Sequence, residues 1–357
     1  MKMLFVTNVK IGSTANGGEV GSNGRLDLIK QLVYADPFSI TKESNLSSVC
    51  SLVEGNYPPL RKKHIQEAIS LIDKEGYDVV FVDCSVYGGL IKRIKKNRPD
   101  VKVIAYFQNC EYDYIDVRFK GIFNIKKYVY KYLVKKSEKE SLRYSDINVA
   151  LSDRDSDRIE EIYNKRPDKI IPLFIPDRAG EVALAGRNKG YCLLFGPANT
   201  ANLEGFRWFA SQVSPYIHIP TLICGKNMER HMKCFQGGNI TVKGYVEDIK
   251  KLYENALAVC IPLFRGGGMK VKTSESLMYG KTIFGTKEAF AGFHVDYARV
   301  GGLCANAGEF IDAINTYTDC GGCTYNRYSR ELYLSKYSQK AIRGDIGELL
   351  RSIQQEI

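Results

Sequence analysis

The chain has 357 residues, 44% hydrophobic and 25% charged, enough apolar mass for two domains with cores of their own. No uninterrupted apolar run of about 18 residues occurs, which excludes a membrane-spanning helix. The formal net charge of +11 points to a polyanionic partner, and the lack of zinc-finger, homeodomain or RNA-recognition spacing makes nucleic acid the weaker option beside anionic lipid or a phosphorylated substrate. Several of the ten cysteines (Cys84, Cys192, Cys224, Cys260) sit inside apolar runs, as buried thiols of a reducing compartment do. Cys320 and Cys323 form a lone C-x-x-C without nearby histidines, so no metal or redox chemistry is expected there.

The N-terminus MKMLFVTNVKIGS has no small-residue cleavage site and reads as a first strand, Lys2–Val9. Asn16-Gly17-Gly18 opens a loop, and Gly24–Tyr34 has the apolar spacing of a helix with Leu26, Ile29, Leu32 and Val33 inward. The glycine spacing does not fit the G-x-G-x-x-G dinucleotide fingerprint. Arg25, at the start of that helix, is placed to meet an anion or solvent. Phe38–Leu52 reads as strand and loop, Leu60–Lys74 as a helix, Asp78–Asp83 as a buried strand, Gly88–Asn97 as a basic helix and Val101–Phe107 as the next strand. Strands alternating with helices predict a parallel, doubly wound α/β sheet. Gln108-Asn109-Cys110-Glu111 follows the last of these strands, where ligands of open parallel sheets bind.

Val117–Arg143 reads as one long helical stretch with nine basic residues against two acidic ones. Ile122, Ile125, Val129 and Leu133 form a stripe expected to pack inward, leaving a basic rim to lean on anionic lipid. Asp146–Leu151 is a strand, and Ser152 is a helix cap. Ile170–Pro176 closes the first domain, and the small polar residues of Arg178–Asn188 suit a linker.

In the second half, Tyr191–Phe195 is a strand ending at Gly196, and Asn202–Phe209 begins a helix. Pro220–Cys224 and Ile240–Val242 are strands, and Asp248–Ala256 is a helix. Ala258–Leu263 is a short apolar run with the profile of a buried strand. Arg265-Gly266-Gly267-Gly268 cannot continue it cheaply. Lys270–Tyr279 then has helical spacing and ends at Gly280, before a strand at Thr282–Gly285. A strand, a glycine loop and a helix N-terminus make an anion site. Arg265, Lys270 and Lys272 add three cations around one turn, which suits a diphosphate. Glu275, one helical turn after Lys272, is placed to accept hydrogen bonds from a ribose diol. Phe310–Tyr317 and Ser338–Gln355 are the last helices.

The stretch RGGGMKVKTSESLMYGKTIFGTKEAFAGF resembles the nucleotide-sugar signature of the family 4-like retaining glycosyltransferases, in the branch with a Gly-Gly-Gly-x-x-x-Lys-x-x-Glu pattern. The resemblance implies the α/β GT-B fold: two facing Rossmann-like domains with a deep interdomain cleft. Residues 1–176 would form the acceptor-side domain, completed by a returning helix near 338–357, and residues 177–337 the donor-binding domain. It also implies retaining transfer of a hexosyl group from a nucleoside-diphosphate sugar to a hydroxyl of a cell-surface polysaccharide or lipid-linked acceptor. No cofactor or metal would be needed, and the protein would be cytoplasmic, peripheral at the inner face of the membrane.

By the same resemblance, Arg265, Lys272 and Gln108 carry catalysis. Gly17, Gly18, Asn109, Glu111, Gly196, Val246, Gly267, Gly268, Met269, Lys270, Val271 and Glu275 line the substrates, with Glu275 on the donor ribose. Two positions depart from the family. Gly267 stands where many members have a sugar-contacting glutamate, and Gln108 stands for a histidine, so proton-transfer roles of that histidine do not carry over. PANTANLEG after Tyr191–Phe195 supplies neither the arginine nor the lysine that the family often places there. A sugar-nucleotide 2-epimerase and a non-catalytic nucleotide-binding subunit of the same fold are the alternatives.

Overall fold

A computed structural model describes residues 1–13, 17–119, 125–180, 190–235, 237 and 239–355. The chain divides into two compact units, the first built mainly from residues 1–174 and the second from 175–341; Gly267–Met269 and the chain from Ile342 onward count with the first.

The first unit starts with β1 (Lys2–Thr7), α1 (Gly17–Lys30), β2 (Tyr34–Ser39), α2 (Asn45–Val53) and α3 (Lys62–Glu75). It continues with β3 (Val79–Val82), α4 (Gly88–Asn97), β4 (Lys102–Phe107), α5 (Glu111–Arg118) and α6 (Ile125–Tyr144). β5 (Ile147–Ala150), α7 (Asp153–Tyr163) and β6 (Lys169–Ile170) complete its sheet. All pairs are parallel, in the order β2-β1-β3-β4-β5-β6. The order reverses at β1/β3, so the polar residues after β1, β3 and β4 converge at one crevice of this sheet.

The second unit holds β7 (Tyr191–Phe195), α8 (Thr200–Gln212), β8 (Thr221–Cys224), β9 (Ile240–Lys243), α9 (Ile249–Asn255) and β10 (Ala256–Ile261). After these come α10 (Val271–Met278), β11 (Thr282–Gly285), α11 (Tyr297–Val300), β12 (Gly301–Leu303), α12 (Ala307–Asp319) and α13 (Arg327–Leu332). Its sheet, β9-β8-β7-β10-β11-β12, is again parallel throughout. Numbered within the unit the order is 3-2-1-4-5-6, the Rossmann order, with its reversal between β7 and β10. The last helix, α14 (Gln339–Gln354), lies mostly with the first unit, where Arg343 Nη1 donates to Gln31 Oε1 at 2.8 Å.

Each sheet carries its own core. Val80, Val82, Val103 and Phe107 face helices in the first unit, and Leu194, Ile223, Ala258 and Phe284 do so in the second. Cys84, Cys192, Cys224 and Cys260 are buried as expected, while Cys320 and Cys323 are exposed.

Four readings of the sequence are corrected. The first helix begins at Gly17, not Gly24, so Gly17 and Gly18 form its first turn. Phe38–Leu52 contains a helix, α2, capped by Ser44, whose hydroxyl accepts from Ser47 N and whose own N–H bonds back to Ser47 Oγ. Val117–Arg143 is two helices, α5 and α6; Lys120 and Ile122 lie outside the described residues. The inward face of α6 is Tyr130, Leu133, Val134, Ser137, Glu138, Ser141 and Leu142, whereas Ile125 and Val129 face solvent. The stripe read from the sequence was one helical step off: the buried row keeps Leu133 but follows serines and a glutamate that other chain segments satisfy. The proposed linker beyond Gly180 also lies outside the described residues.

Candidate active site

The second sheet and its reversal point carry seven of the residues singled out above: Gly196, Val246, Arg265, Lys270, Val271, Lys272 and Glu275. β7 ends at Phe195, and Gly196 follows with φ +152, where a side chain would be strained. A Cβ there would sit 2.7 Å from Asn202 Nδ2 and 3.0 Å from Lys272 Nζ, so glycine is what lets both approach the backbone. Asn199 caps α8 by accepting from Asn202 N at 2.9 Å. Asn202 Nδ2 donates to Pro197 O at 2.7 Å, which turns its Oδ1 toward Lys272 Nζ at 2.6 Å. Lys272 Nζ also lies 5.2 Å from the centre of the Phe206 ring. Burial pushes the Lys272 ammonium down to about 7, with Lys270 adding to the fall and Glu275 opposing it.

Glu275 is buried on the next turn of α10. Burial pushes its carboxyl up to about 7, against Arg178, the Tyr253 hydroxyl and Lys272. That hydroxyl lies 3.5 Å from Glu275 Oε2, and the Tyr253 ring stacks on Tyr279 with centroids 4.6 Å apart. The site thus holds one amine and one carboxylate that both change charge near neutrality.

The three expected cations are not equivalent. Lys270 Nζ is 2.7 Å from Glu288 Oε1, and Arg265 Nη2 is 3.3 Å from Glu204 Oε1. Lys272 is held instead by the neutral amide of Asn202. An incoming anion meets the full charge of Lys272 when it is protonated, but shares Lys270 and Arg265 with carboxylates. Arg265 Nε is buried without a hydrogen-bond partner among the described residues, which leaves one donor for a ligand. Val271 and Val246 are both half-buried, Val271 in the first turn of α10 and Val246 three residues beyond β9.

Gln108, Asn109 and Glu111 belong to the crevice of the first sheet. Gln108 Nε2 donates to Asp83 O at 2.8 Å and to Asp83 Oδ2 at 3.2 Å, leaving the amide oxygen of Gln108 as its acceptor. Asp83 is fully buried and also receives the Ser22 hydroxyl and Arg25 Nε, the latter at 2.7 Å. Arg25 is buried as well, stacked 4.4 Å over Tyr106. Burial alone would lower its pKa, but Asp83 and Tyr106 hold it raised. Arg25 therefore meets neither solvent nor a ligand: it neutralises the aspartate that orients Gln108.

The loop from Gln108 to Glu111 is fixed from below by Glu138 of α6. Its carboxylate accepts from Ser85 Oγ (2.9 Å), Glu111 N (3.0 Å), Tyr112 N (3.3 Å) and Tyr163 OH (2.6 Å), which caps the start of α5. Burial pushes Glu111 up to about 7, opposed by Asn109 and Arg118. Asn109 Oδ1 is buried without a hydrogen-bond partner among the described residues. Gly267–Met269 pack in this unit: a Cβ on Gly268, at φ +54, would lie 2.3 Å from Gln108 O, and one on Gly267 3.0 Å from Asn109 Nδ2. A side chain at position 267 would require Asn109 to give by a few tenths of an ångström.

Sequence reasoning missed Asp83, Glu138 and Asn202. Asp83 had a signal, a lone acid closing the apolar run Val79–Val82. Nothing local marks Glu138 or Asn202, whose roles come from other segments.

Residues 189–319 match the model of the family described as glycosyl transferases group 1. No curated protein sequence matches the chain. Sucrose-phosphate synthase from Thermosynechococcus elongatus superposes with a TM-score of 0.74 at 12% identity, over 100% of both chains. A glycosyltransferase from Rickettsia africae ESF-5 does so at 0.70 and 15% identity, covering 100% of this chain and 99% of that one. Anabaena HepE, solved in complex with UDP and glucose, gives 0.69 and 11% identity over 99% and 100%. The chain has the GT-B fold of these proteins, with two Rossmann-like domains, and the match to the group 1 glycosyl transferases model lies, Gly267–Met269 apart, within its second unit.

Proposed function

We propose that the protein transfers a hexosyl group, with retention, from a nucleoside-diphosphate sugar to a hydroxyl of a cell-surface polysaccharide or lipid-linked acceptor. The observation that carries this reading is Lys272, half-buried over Gly196 at the reversal point of a group 1 glycosyltransferase domain. Lys272, Arg265 and Lys270, with the amides at the start of α10, take up the charge of the departing diphosphate, so the reading assigns no metal ion or further cofactor. Glu275 holds the ribose. Gln108 offers its amide oxygen, and Asn109 its unpaired Oδ1, to sugar hydroxyls. Residues 177–337 are the donor domain in this reading, and the protein works in the cytoplasm at the inner face of the membrane.

Thermal melts against a panel of nucleoside diphosphates and their sugars test it, starting with UDP because HepE was solved with it. A ligand at 100 times its dissociation constant stabilises by about 2.7 kcal/mol, which shifts the melt of a unit this size by roughly 5–10 °C. Glu275→Gln is expected to weaken donor binding about tenfold, the worth of one charge-assisted hydrogen bond. A panel that leaves the melt unmoved, or a Glu275→Gln protein with unchanged affinity, removes the donor site.

Lys272 contributes a pH dependence of definite sign, which the ionisation of Glu275, needed for its bond to the ribose, opposes. A nucleotide sugar keeps its diphosphate charge across the neutral range and favours protonated Lys272. Through Lys272, binding above pH about 7 therefore takes up a proton, and this contribution to affinity falls as pH rises through that value. Calorimetry in two buffers of different ionisation enthalpy measures the uptake. Lys272→Arg, charged at every such pH, is expected to leave only the part due to Glu275; an undiminished uptake would assign the proton elsewhere.

A further inference from the structure

The first unit carries an apolar surface that its own core does not use. In α2 the usual arrangement is reversed: Ser47 and Ser51 are buried, while Leu46, Val49 and Val53 are 72%, 53% and 83% exposed. These three share one face at i, i+3 and i+7. The outward face of α6 repeats the pattern along its length. Ile125 (80% exposed), Tyr128, Val129 and Tyr132 (68%) occupy its first half, and the exposed Lys135, Lys136, Lys139 and Arg143 its second.

The two helices are neighbours. A cavity of about 440 Å³ between the helices is lined by Lys42, Val49 and Leu52 on one side and by Arg118, Lys126 and Tyr130 on the other. Lys136 Nζ donates to Gly55 O at 3.1 Å and ties the end of α2 to α6. Not every cation is available: Lys127 and Lys131 are engaged by Asp116, at 2.9 and 2.6 Å.

We infer that the outer faces of α2 and α6 dock the protein on an anionic bilayer, with Leu46, Val49, Val53, Ile125 and Tyr132 entering the interface and the basic cavity between the helices receiving a lipid phosphate. Aliphatic and tyrosine side chains projecting beside lysines are the composition of helices that lie in a membrane interface, and a chain of net charge +11 is complementary to anionic headgroups. A second copy of this chain fits worse, because a two-fold contact would bring the same lysines against each other. Nucleic acid offers nothing for five protruding apolar side chains. This inference deepens the peripheral-membrane part of the proposed function by naming the surface.

Flotation with vesicles of phosphatidylcholine, with and without phosphatidylglycerol, tests it on the full chain. Binding is expected only to the anionic vesicles and is expected to be released by high salt. The double substitution Leu46→Ser with Val53→Ser, at exposed positions, should weaken it by about tenfold or more. Val53→Trp adds an independent readout, since Trp208 is the only native tryptophan and lies in the second unit: the emission of the introduced indole should shift to the blue with anionic vesicles alone. Equal binding to neutral vesicles, unchanged binding by the double variant, or an unshifted emission from the Val53→Trp protein would overturn the inference. So would a dimer that the double variant splits, or RNA binding lost in that variant while vesicle binding persists. Nucleotide-induced stabilisation, measured without vesicles, is expected to be the same in the double variant, so a failed donor site and a failed docking surface give separate results.

Discussion

Replacing Lys272 with alanine is expected to lower the rate of sugar transfer by about 10²–10³, while Lys287→Ala stays within about twofold. The difference follows from placement. Lys287 is exposed, two residues past β11. Lys272 stands over Gly196 with a neutral partner, so of the three cations at the glycine turn it is the one whose charge is not shared with a carboxylate by direct contact. Negative charge builds on the diphosphate as the glycosidic bond breaks, and a fixed ammonium in a water-poor site stabilises that state more than the bound donor. Initial rates of nucleotide release measure the effect, with donor affinity measured in parallel. The loss should fall more on kcat than on KM. The fold should survive, because burial disfavours the charged amine and its removal relieves that cost. Equal losses in the two variants would refute the placement of the leaving group at Lys272.

Arg25→Ala is expected to destabilise the first unit by about 3–5 kcal/mol, the cost of leaving a buried carboxylate without its cation. Asp83 is fully buried and accepts Arg25 Nε at 2.7 Å, with the Ser22 hydroxyl and the Gln108 amide on the same carboxylate. The alanine variant also uncovers the Tyr106 ring on which the guanidinium stacks. At roughly 2–4 °C per kcal/mol, the melt of this unit should fall by about 10 °C. Arg25→Met with Asp83→Leu, which removes both charges, should recover most of that loss. It should not recover transfer activity if Asp83 is what turns the Gln108 oxygen outward. A melt unchanged by Arg25→Ala would mean that the pair is not buried as described.

The second half of the chain was legible because its signals are local. Strand, glycine loop and helix follow one another within Ala256–Met278, and Gly280 takes the left-handed φ of +60 that ends the helix. The first half was less so. The helix α2 hides in a serine-rich stretch, read from the sequence as strand and loop, whose capping signal is Ser44-x-x-Ser47, and Leu46, Val49 and Val53 point away from the core, so no inward apolar stripe marks it. In α6 the spacing of Ile125 and Val129 is helical, but spacing does not say which side of a helix another element covers.

By itself the sequence determined the alternation of strands and helices, the glycine bend with its cations, and the lysine and glutamate one turn apart on α10, because these depend on neighbours within a few residues. Tertiary structure decided the rest. It buried Arg25 against Asp83, tied Lys270 and Arg265 to Glu288 and Glu204, seated Glu138 beneath the start of α5, and brought Lys272 and Glu275 to titrate near 7. Charge state and partner are set by solvent exclusion and by groups distant in sequence, and those become known only when the chain has closed around them.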